Sequence, residues 1–261
     1  MISNKQSPVN EFSPDIWEHL TKTLQRAVEQ TSPSVSAKRI AAFDADGTLW
    51  DSDAGETFFD WEIHRAGLND LPADPWAHYH ALKKVNPITA YVWLAQINAG
   101  VPLAQVREWA QQCFAEHPQW PVFESQRRLI TLLRSLDFEI FIVTASIKWA
   151  VEPVAALVGV DHDHVIGITT KLDSNGCVGM DAVHPITWRQ GKADGLLGAT
   201  GGVRPIIASG NTLGDIALLE TASHVQLAIS TQNTPGGLFD EEAKLAEEAD
   251  RRGWLRHRFR S

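Results

Sequence analysis

Apolar residues recur along this chain in two periods, one helical and one strand-like, and the change from one to the other outlines the fold. Ser13-Pro14-Asp15 has the N-cap and first-turn proline of a helix start. Ile16, Leu20, Leu24 and Val28 follow at helical spacing, and Thr31–Ser36 (TSPSVS) ends the segment. Ile40–Phe43 is a short continuous apolar run, which predicts a buried strand at about 39–43. From about 52 to 136 the period is helical throughout. The apolar sets are Phe58, Trp61, Ile63 and Leu68; then Tyr91, Trp93, Leu94 and Ile97, ending at Asn98-Ala99-Gly100. Leu103, Val106, Trp109 and Phe114 follow, broken by Pro118 and Pro121, and Leu129, Leu132, Leu133 and Leu136 complete the series.

Strand character returns at 139–143 (EIFIV), and alternation follows. A helix is predicted over about 148–158, a hairpin around Ser174-Asn175-Gly176, and a helix from near Gly191. A strand at 205–208, a helix at 213–221, a strand at 224–229 and a charged amphipathic helix at 240–252 complete the chain. Alternating strands and helices imply an α/β fold, a Rossmann-like parallel sheet with right-handed crossovers and helices on both faces. The long helical stretch between the first two strands implies an inserted domain. The expected organisation is an α/β core from 13–52 and 137–261, a helical cap at 53–136, and a flexible N-terminus at 1–12.

Composition narrows the function classes. The 261 residues are 44% hydrophobic and 21% charged, an ordinary globular balance. A net charge of −9 without a basic stripe argues against nucleic acid as a partner. An acidic protein acting on an anionic substrate needs a bound cation or a local positive pocket. Cys113 and Cys177 stand far apart in no metal-like spacing and read as reduced thiols of a cytoplasmic protein. The polar N-terminus lacks the apolar region of a signal peptide, and no run approaches the ~18 apolar residues of a membrane span.

Candidate chemistry gathers where strands are predicted to end. In FDADGTLW (43–50), Asp44 and Asp46 follow the first strand, and Gly47 allows a sharp exit. Strand C-terminal ends are where open α/β sheets bind ligands. Two close carboxylates resist joint ionisation, so one can stay protonated while the other attacks, as covalent catalysis with a separate general acid requires. Thr144-Ala145-Ser146 ends the second strand with hydroxyls and small residues, which suit phosphate. Gly191-Lys192 places a cation beside a helix start, and SGNTLGD (209–215) places Asn211 and Asp215 at another strand end as oxygen ligands for a hard divalent cation.

In that order, FDADGT, VTAS, GK and GNTLGD resemble the four motifs of the haloacid-dehalogenase-superfamily phosphohydrolases, over about 39–230. The helical insertion is similar to the cap of the phosphoserine-phosphatase-like subgroup. The resemblance implies that Asp44 attacks phosphorus and becomes an aspartyl-phosphate. It implies that Asp46 protonates the leaving oxygen and then activates water. Thr144, with Ala145 and Ser146, would hold the phosphate, and Lys192 would neutralise it. Asp44, the carbonyl of Asp46, Asn211 and Asp215 would hold Mg²⁺. Asn211 departs from the family, which usually has Asp there. One charge is lost from the site, so Asn211→Asp is expected to tighten Mg²⁺ binding. Asp46 itself favours phosphate-ester chemistry, because the superfamily's dehalogenases lack it.

Three residues near the first motif are candidates for substrate specificity: Trp50, Asp53 and Glu56. Asp53 stands about where the subgroup places an acid for a substrate amine, although Asp53-x-x-Glu56 also fits a helix-start capping pair. Five of the 10 Trp lie in the insertion at helical spacing, which favours a core role, while Trp50 and Trp149 adjoin the first and second motifs. Asp161-His162-Asp163-His164 reads as a solvated turn, and no nucleotide P-loop, dinucleotide fingerprint or nucleophile elbow is present. The expectation is a Mg²⁺-dependent phosphatase for a small phosphorylated metabolite, of which an amino-alcohol or amino-acid phosphate is one case. The alternatives are a phosphotransferase or mutase of the same superfamily, and a catalytically silent binding relative.

Overall fold

A computed structural model describes residues 11–30 and 38–259. The TSPSVS helix stop and most of the N-terminal segment expected to be flexible lie outside the described residues. The described residues form two compact units, one within 1–51, 121–140 and 203–261, the other of 52–120 and 141–202.

In the first unit, α1 (Pro14–Gln30) buries Leu20, Leu24 and Ala27, one stripe of an amphipathic helix. Strand β1 (Arg39–Phe43) is buried from Ile40 onward. It pairs in parallel with β6 (Ile207–Gly210), with Phe43 beside Ser209. Strand β7 (Val225–Ser230) pairs with β6, and β8 (Leu255–Arg258) pairs with β7, both in parallel. Helices α6 (Glu124–Ser135), α9 (Ile216–Thr221) and α10 (Gly237–Arg252) complete the unit. β8 is an addition to the sequence reading. Phe259 follows it and stacks on Phe123 at 4.4 Å, with Phe12 packed at 5.5 Å. Phe12 is therefore an ordered core residue, contrary to the expected flexible end at 1–12. Each such ring contributes about 1.5–3 kcal/mol by leaving water.

The second unit holds α2 (Ala54–Arg65), α3 (Pro75–Val85), α4 (Pro87–Gln96) and α5 (Leu103–Ala115), then α7 (Lys148–Leu157) and α8 (Gln190–Ala199). Asp53, Asp74 and Asn86 each accept a backbone N–H at the starts of α2, α3 and α4. An aromatic cluster centred on Phe59 joins Trp76 at 4.8 Å and Trp93 at 5.6 Å. Glu152 on α7 accepts two hydrogen bonds from Arg107 on α5, both at 2.8 Å. β4 (Thr170–Leu172) and β5 (Val178–Ala182) form the expected hairpin, which bonds to the turn before α5 through Gly100 and Leu103.

These boundaries differ from 53–136 in two respects. Helix α6 groups with the first unit, where Gln126 Nε2 donates to the carbonyl of Thr48 and Phe123 N to that of Leu49. Residues 141–202 group with the helices, through the Arg107–Glu152 pair and the hairpin.

β2 (Phe138–Ile147) begins in the first unit and continues into the second, where β3 (Val165–Ile168) pairs with it in parallel. The strands of the main sheet are bonded in the order β3-β2-β1-β6-β7-β8. The fold is α/β, and every described pairing of this sheet is parallel.

Candidate active site

In the first unit, the paired ends of β1 and β6 position the acids. Asp44 N donates to the carbonyl of Ser209 at 2.9 Å, so Asp44 leaves β1 alongside the point where Gly210 and Asn211 leave β6. Asp44 is buried, and its Oδ2 accepts from Thr48 Oγ1 at 3.0 Å. Gly47 has φ +74°, and a Cβ there would lie 2.1 Å from Asn211 Nδ2, so only glycine lets this turn close on Asn211. The turn returns to Trp50, whose carbonyl accepts from Gly47 N at 2.9 Å. Trp50 Nε1 donates to Asp46 Oδ1 at 2.8 Å, and the indole is fully buried. The ring of Trp50, a specificity candidate, is packed inside the unit, and its polar edge holds the second aspartate.

Asp215 Oδ2 accepts from the backbone N–H groups of Asn211 (3.1 Å) and Thr212 (3.0 Å) and from Thr212 Oγ1 (3.2 Å). That oxygen organises the loop between β6 and α9, with Thr212 and Asp215 forming a capping box. Asn211 is also buried, and its Nδ2 donates to Glu242 Oε1 at 3.5 Å. Its Oδ1 therefore turns away from Glu242. Among the described residues, no three His, Cys, Asp or Glu side chains gather as a metal-holding set. A cation on Asp44 would thus draw on oxygens of other kinds, the Asn211 amide and the Asp46 carbonyl. Both are hard oxygen donors, and the buried Asp44 and Asn211 follow adjacent strand ends, so the residues present fit Mg²⁺.

The second unit carries the remaining candidates. Thr144, Ala145 and Ser146 lie within β2 and not after it, where the pairing with β3 shifts register between Val143 and Ile147. A bulge of this kind re-aims side chains at a strand end. Thr144 is buried; its Oγ1 accepts from Ser146 N at 3.0 Å, and its carbonyl accepts from Thr187 Oγ1 at 2.6 Å. Ser146 is not the N-cap of α7, a position held by Ile147. Lys192 is buried in the first turn of α8. The glycine before it has a packing reason, since a Cβ at Gly191 would lie 1.7 Å from the carbonyl oxygen of Ile186.

Asp53 Oδ1 accepts from Glu56 N at 2.7 Å, the capping role that was the alternative to amine binding. Glu56 Oε1 accepts from Lys83 Nζ at 3.0 Å and Tyr79 Oη at 3.2 Å. Burial works against the charge on Lys83, but Glu56, Tyr91 and Asp53 together outweigh it and the net shift is upward. Lys83 also lies 5.1 Å from the Tyr79 ring and 5.5 Å from the Tyr91 ring. Burial pushes the Tyr91 hydroxyl up; Lys83 opposes this, Asp53 and Glu56 add to it, and Lys192 also opposes it. Asp53, Glu56, Lys83, Tyr91 and Lys192 thus share one electrostatic neighbourhood. Asp53 and Glu56 also line an open cleft of about 680 Å³ with Asp60, Trp61 and Glu116.

Sequence reasoning missed Thr48, Glu242, Lys83 and Tyr91 as members of these groups. Thr48 had a signal, standing four residues after Asp44 within the first motif. Glu242 had a weaker one, falling at i−3 and i−7 from the buried Leu245 and Ala249 in a helix otherwise rich in exposed charge.

The family model described as haloacid dehalogenase-like hydrolase matches residues 41–220. A search of curated proteins returns no match. Among solved structures, a conserved, functionally unknown protein from Anaerococcus prevotii has a TM-score of 0.70 at 14% identity, covering 95% of this chain and 92% of its own. A protein of unknown function from Bordetella pertussis Tohama I has a TM-score of 0.66 at 18% identity, covering 85% and 98%. A HAD-family hydrolase from Salmonella enterica serovar Typhi has a TM-score of 0.53 at 13% identity, covering 94% and 77%. At these identities the likeness is one of fold.

Proposed function

This chain belongs to the haloacid dehalogenase-like hydrolases, and from that premise we propose that it hydrolyses a small phosphate monoester through a phosphoryl group carried on Asp44. The observation that carries the reading is the turn after β1. There two carboxylates are held differently: Asp44 by a hydroxyl donor from Thr48 and Asp46 by the indole N–H of Trp50. Two acids in distinct settings suit two roles.

On this reading an Asp44 carboxylate oxygen attacks phosphorus, and the bond from phosphorus to the ester oxygen breaks. Asp46 gives its proton to the departing alcohol. Asp46 then takes a proton from water, the water oxygen bonds to phosphorus, and the bond to Asp44 breaks, releasing phosphate. Thr144 and Lys192, with the backbone around Ala145 and Ser146, contribute donors and positive charge to the phosphoryl oxygens. Asp44, the Asp46 carbonyl, Asn211 and the second oxygen of Asp215 are the residues that would hold Mg²⁺. When bound, the ion supplies positive charge against the equatorial oxygens. Glu56 is already paired with Lys83, so a substrate amine on this reading falls to Asp53.

The test is phosphate release from a panel of phosphorylated metabolites, with added alcohols as competing acceptors. Wild-type protein turns over at least one ester with Mg²⁺, and chelator or Asp44→Asn abolishes turnover. Phosphoryl transfer to the alcohols in place of water would instead identify a phosphotransferase. No turnover across the panel would leave a silent relative.

A further inference from the structure

We propose that Glu242 supplies, from behind Asn211, the negative charge that the fourth motif lacks, and that position 211 is an asparagine because Glu242 is there. The inference rests on the reading above, in which Asp44, the Asp46 carbonyl and Asn211 hold a divalent cation.

Glu242 is fully buried on α10. Its Oε2 accepts from the backbone N–H groups of Thr231 and Gln232, both at 2.9 Å. Its Oε1 accepts from Thr231 Oγ1 at 2.8 Å and Asn211 Nδ2 at 3.5 Å. Gln232 Nε2 donates to Thr231 Oγ1 at 3.4 Å, which directs the Thr231 hydrogen to Glu242. Every partner of this carboxylate is thus a donor, the arrangement of an ionised group. Among the described residues no Lys, Arg or His pairs with it. A buried carboxylate with no counter-ion needs positive charge nearby. The candidate cation site that includes Asn211 would supply it.

The amide of Asn211 links the two. A carboxamide can present nitrogen or oxygen to a neighbour, and a carboxylate neighbour settles the choice, since oxygen against oxygen repels. Nδ2 must face Glu242, so Oδ1 faces away, and the carboxylate behind the amide makes that oxygen more electron-rich. Groups that hydrogen-bond a ligand from behind tune cation affinity by about 10–100-fold. Aspartate at 211 would place two carboxylates about 3.5 Å apart, at the separation now spanned by the hydrogen bond from the Asn211 amide to Glu242. The sequence alone predicts tighter Mg²⁺ binding for Asn211→Asp, and the structure reverses that expectation.

The test is Mg²⁺ binding by isothermal calorimetry on the full chain, with folding checked by circular dichroism. The proteins are wild type, Asn211→Asp, Glu242→Gln and the swapped pair Asn211→Asp/Glu242→Gln. Glu242→Gln is expected to weaken Mg²⁺ binding about tenfold or more. Asn211→Asp is expected to bind no more tightly than wild type. The swapped pair, which rebuilds a carboxylate–amide contact in reverse, is expected to regain most of the lost affinity.

Folded Glu242→Gln with wild-type affinity overturns the proposal, as does Asn211→Asp alone tightening binding. If Glu242→Gln fails to fold because Thr231 and Gln232 lose an acceptor, Asn211→Asp, which leaves Glu242 intact, decides. No Mg²⁺ binding by wild type would refute the phosphatase reading; wild-type binding left unchanged in Glu242→Gln would refute this inference alone.

Discussion

Replacing Glu62 by glutamine should make the protein more stable at neutral and alkaline pH while leaving it unchanged in mild acid. Glu62 is fully buried on α2, where its Oε1 accepts from Asn98 Nδ2 at 2.8 Å. Its Oε2 and Asn98 Oδ1 are both buried with no donor between them. Burial pushes this carboxyl well above the ordinary range, against the opposing pull of the Asn98 hydrogen bond. The folded state therefore binds the Glu62 proton more tightly than the unfolded chain does. Its contribution to stability is full below the ordinary glutamate pKa of about 4.3, and it is lost as pH rises through the folded value. Over that window one proton is released on unfolding, so stability falls by at most ~1.4 kcal/mol per pH unit. Glutamine never ionises. Its carbonyl can accept from Asn98 Nδ2 and its amide can donate to Asn98 Oδ1, pairing both orphaned oxygen positions. Urea unfolding followed by circular dichroism across pH 4–9 (a range of about five units spanning the window) should show the two proteins equal at the acid end. They should then diverge in favour of Glu62→Gln. Parallel curves, or a variant less stable throughout, would refute the reasoning.

Trp50→Phe keeps an aromatic ring but removes the N–H held by Asp46. It should slow hydrolysis of alkyl phosphates about tenfold or more, and of aryl phosphates with good leaving groups far less, since only the former need the general acid strongly. Equal losses on both would reduce Trp50 to a packing role. Gly47→Ala forces a Cβ into a residue at φ +74° and toward Asn211 Nδ2. A loss of about 1–3 kcal/mol in stability is expected, together with weaker Mg²⁺ binding. A wild-type melting curve would contradict the close approach seen in the turn.

The sequence was most legible where burial and period coincide. β1 spans Arg39–Phe43 as read, because a strand buried on both faces is a continuous apolar run. α3 falls within the helical reading of 52–136 but had no apolar set of its own: Trp76, Tyr79 and Leu82 are its main apolar residues and its polar positions resemble a loop, though Asp74-Pro75 was a sound helix start. β8 (LRHR) was unreadable, since an edge strand with exposed arginines has no apolar run to announce it. The hairpin around Ser174-Asn175-Gly176 was legible, but nothing in the continuous run GITTKL announces that Thr169 separates β3 in the main sheet from β4 in the hairpin. At the site, FDADGTLW revealed its acids by type and spacing. The partners that hold them were hidden for physical reasons. The Trp50 side chain returns to Asp46 only through the positive-φ turn at Gly47, and Glu242 reaches Asn211 from 31 residues away.

The account stands or falls on whether Asp44 itself receives the phosphoryl group. Wild-type protein should be mixed with a turned-over phosphate ester and Mg²⁺, quenched in acid within the first turnover, digested, and analysed by mass spectrometry. A phosphoryl adduct on Asp44, absent from Asp44→Asn and more abundant in Asp46→Asn as water attack slows, is the predicted result. Steady turnover with no adduct on Asp44 at any quench time, or an adduct on another residue, would contradict it.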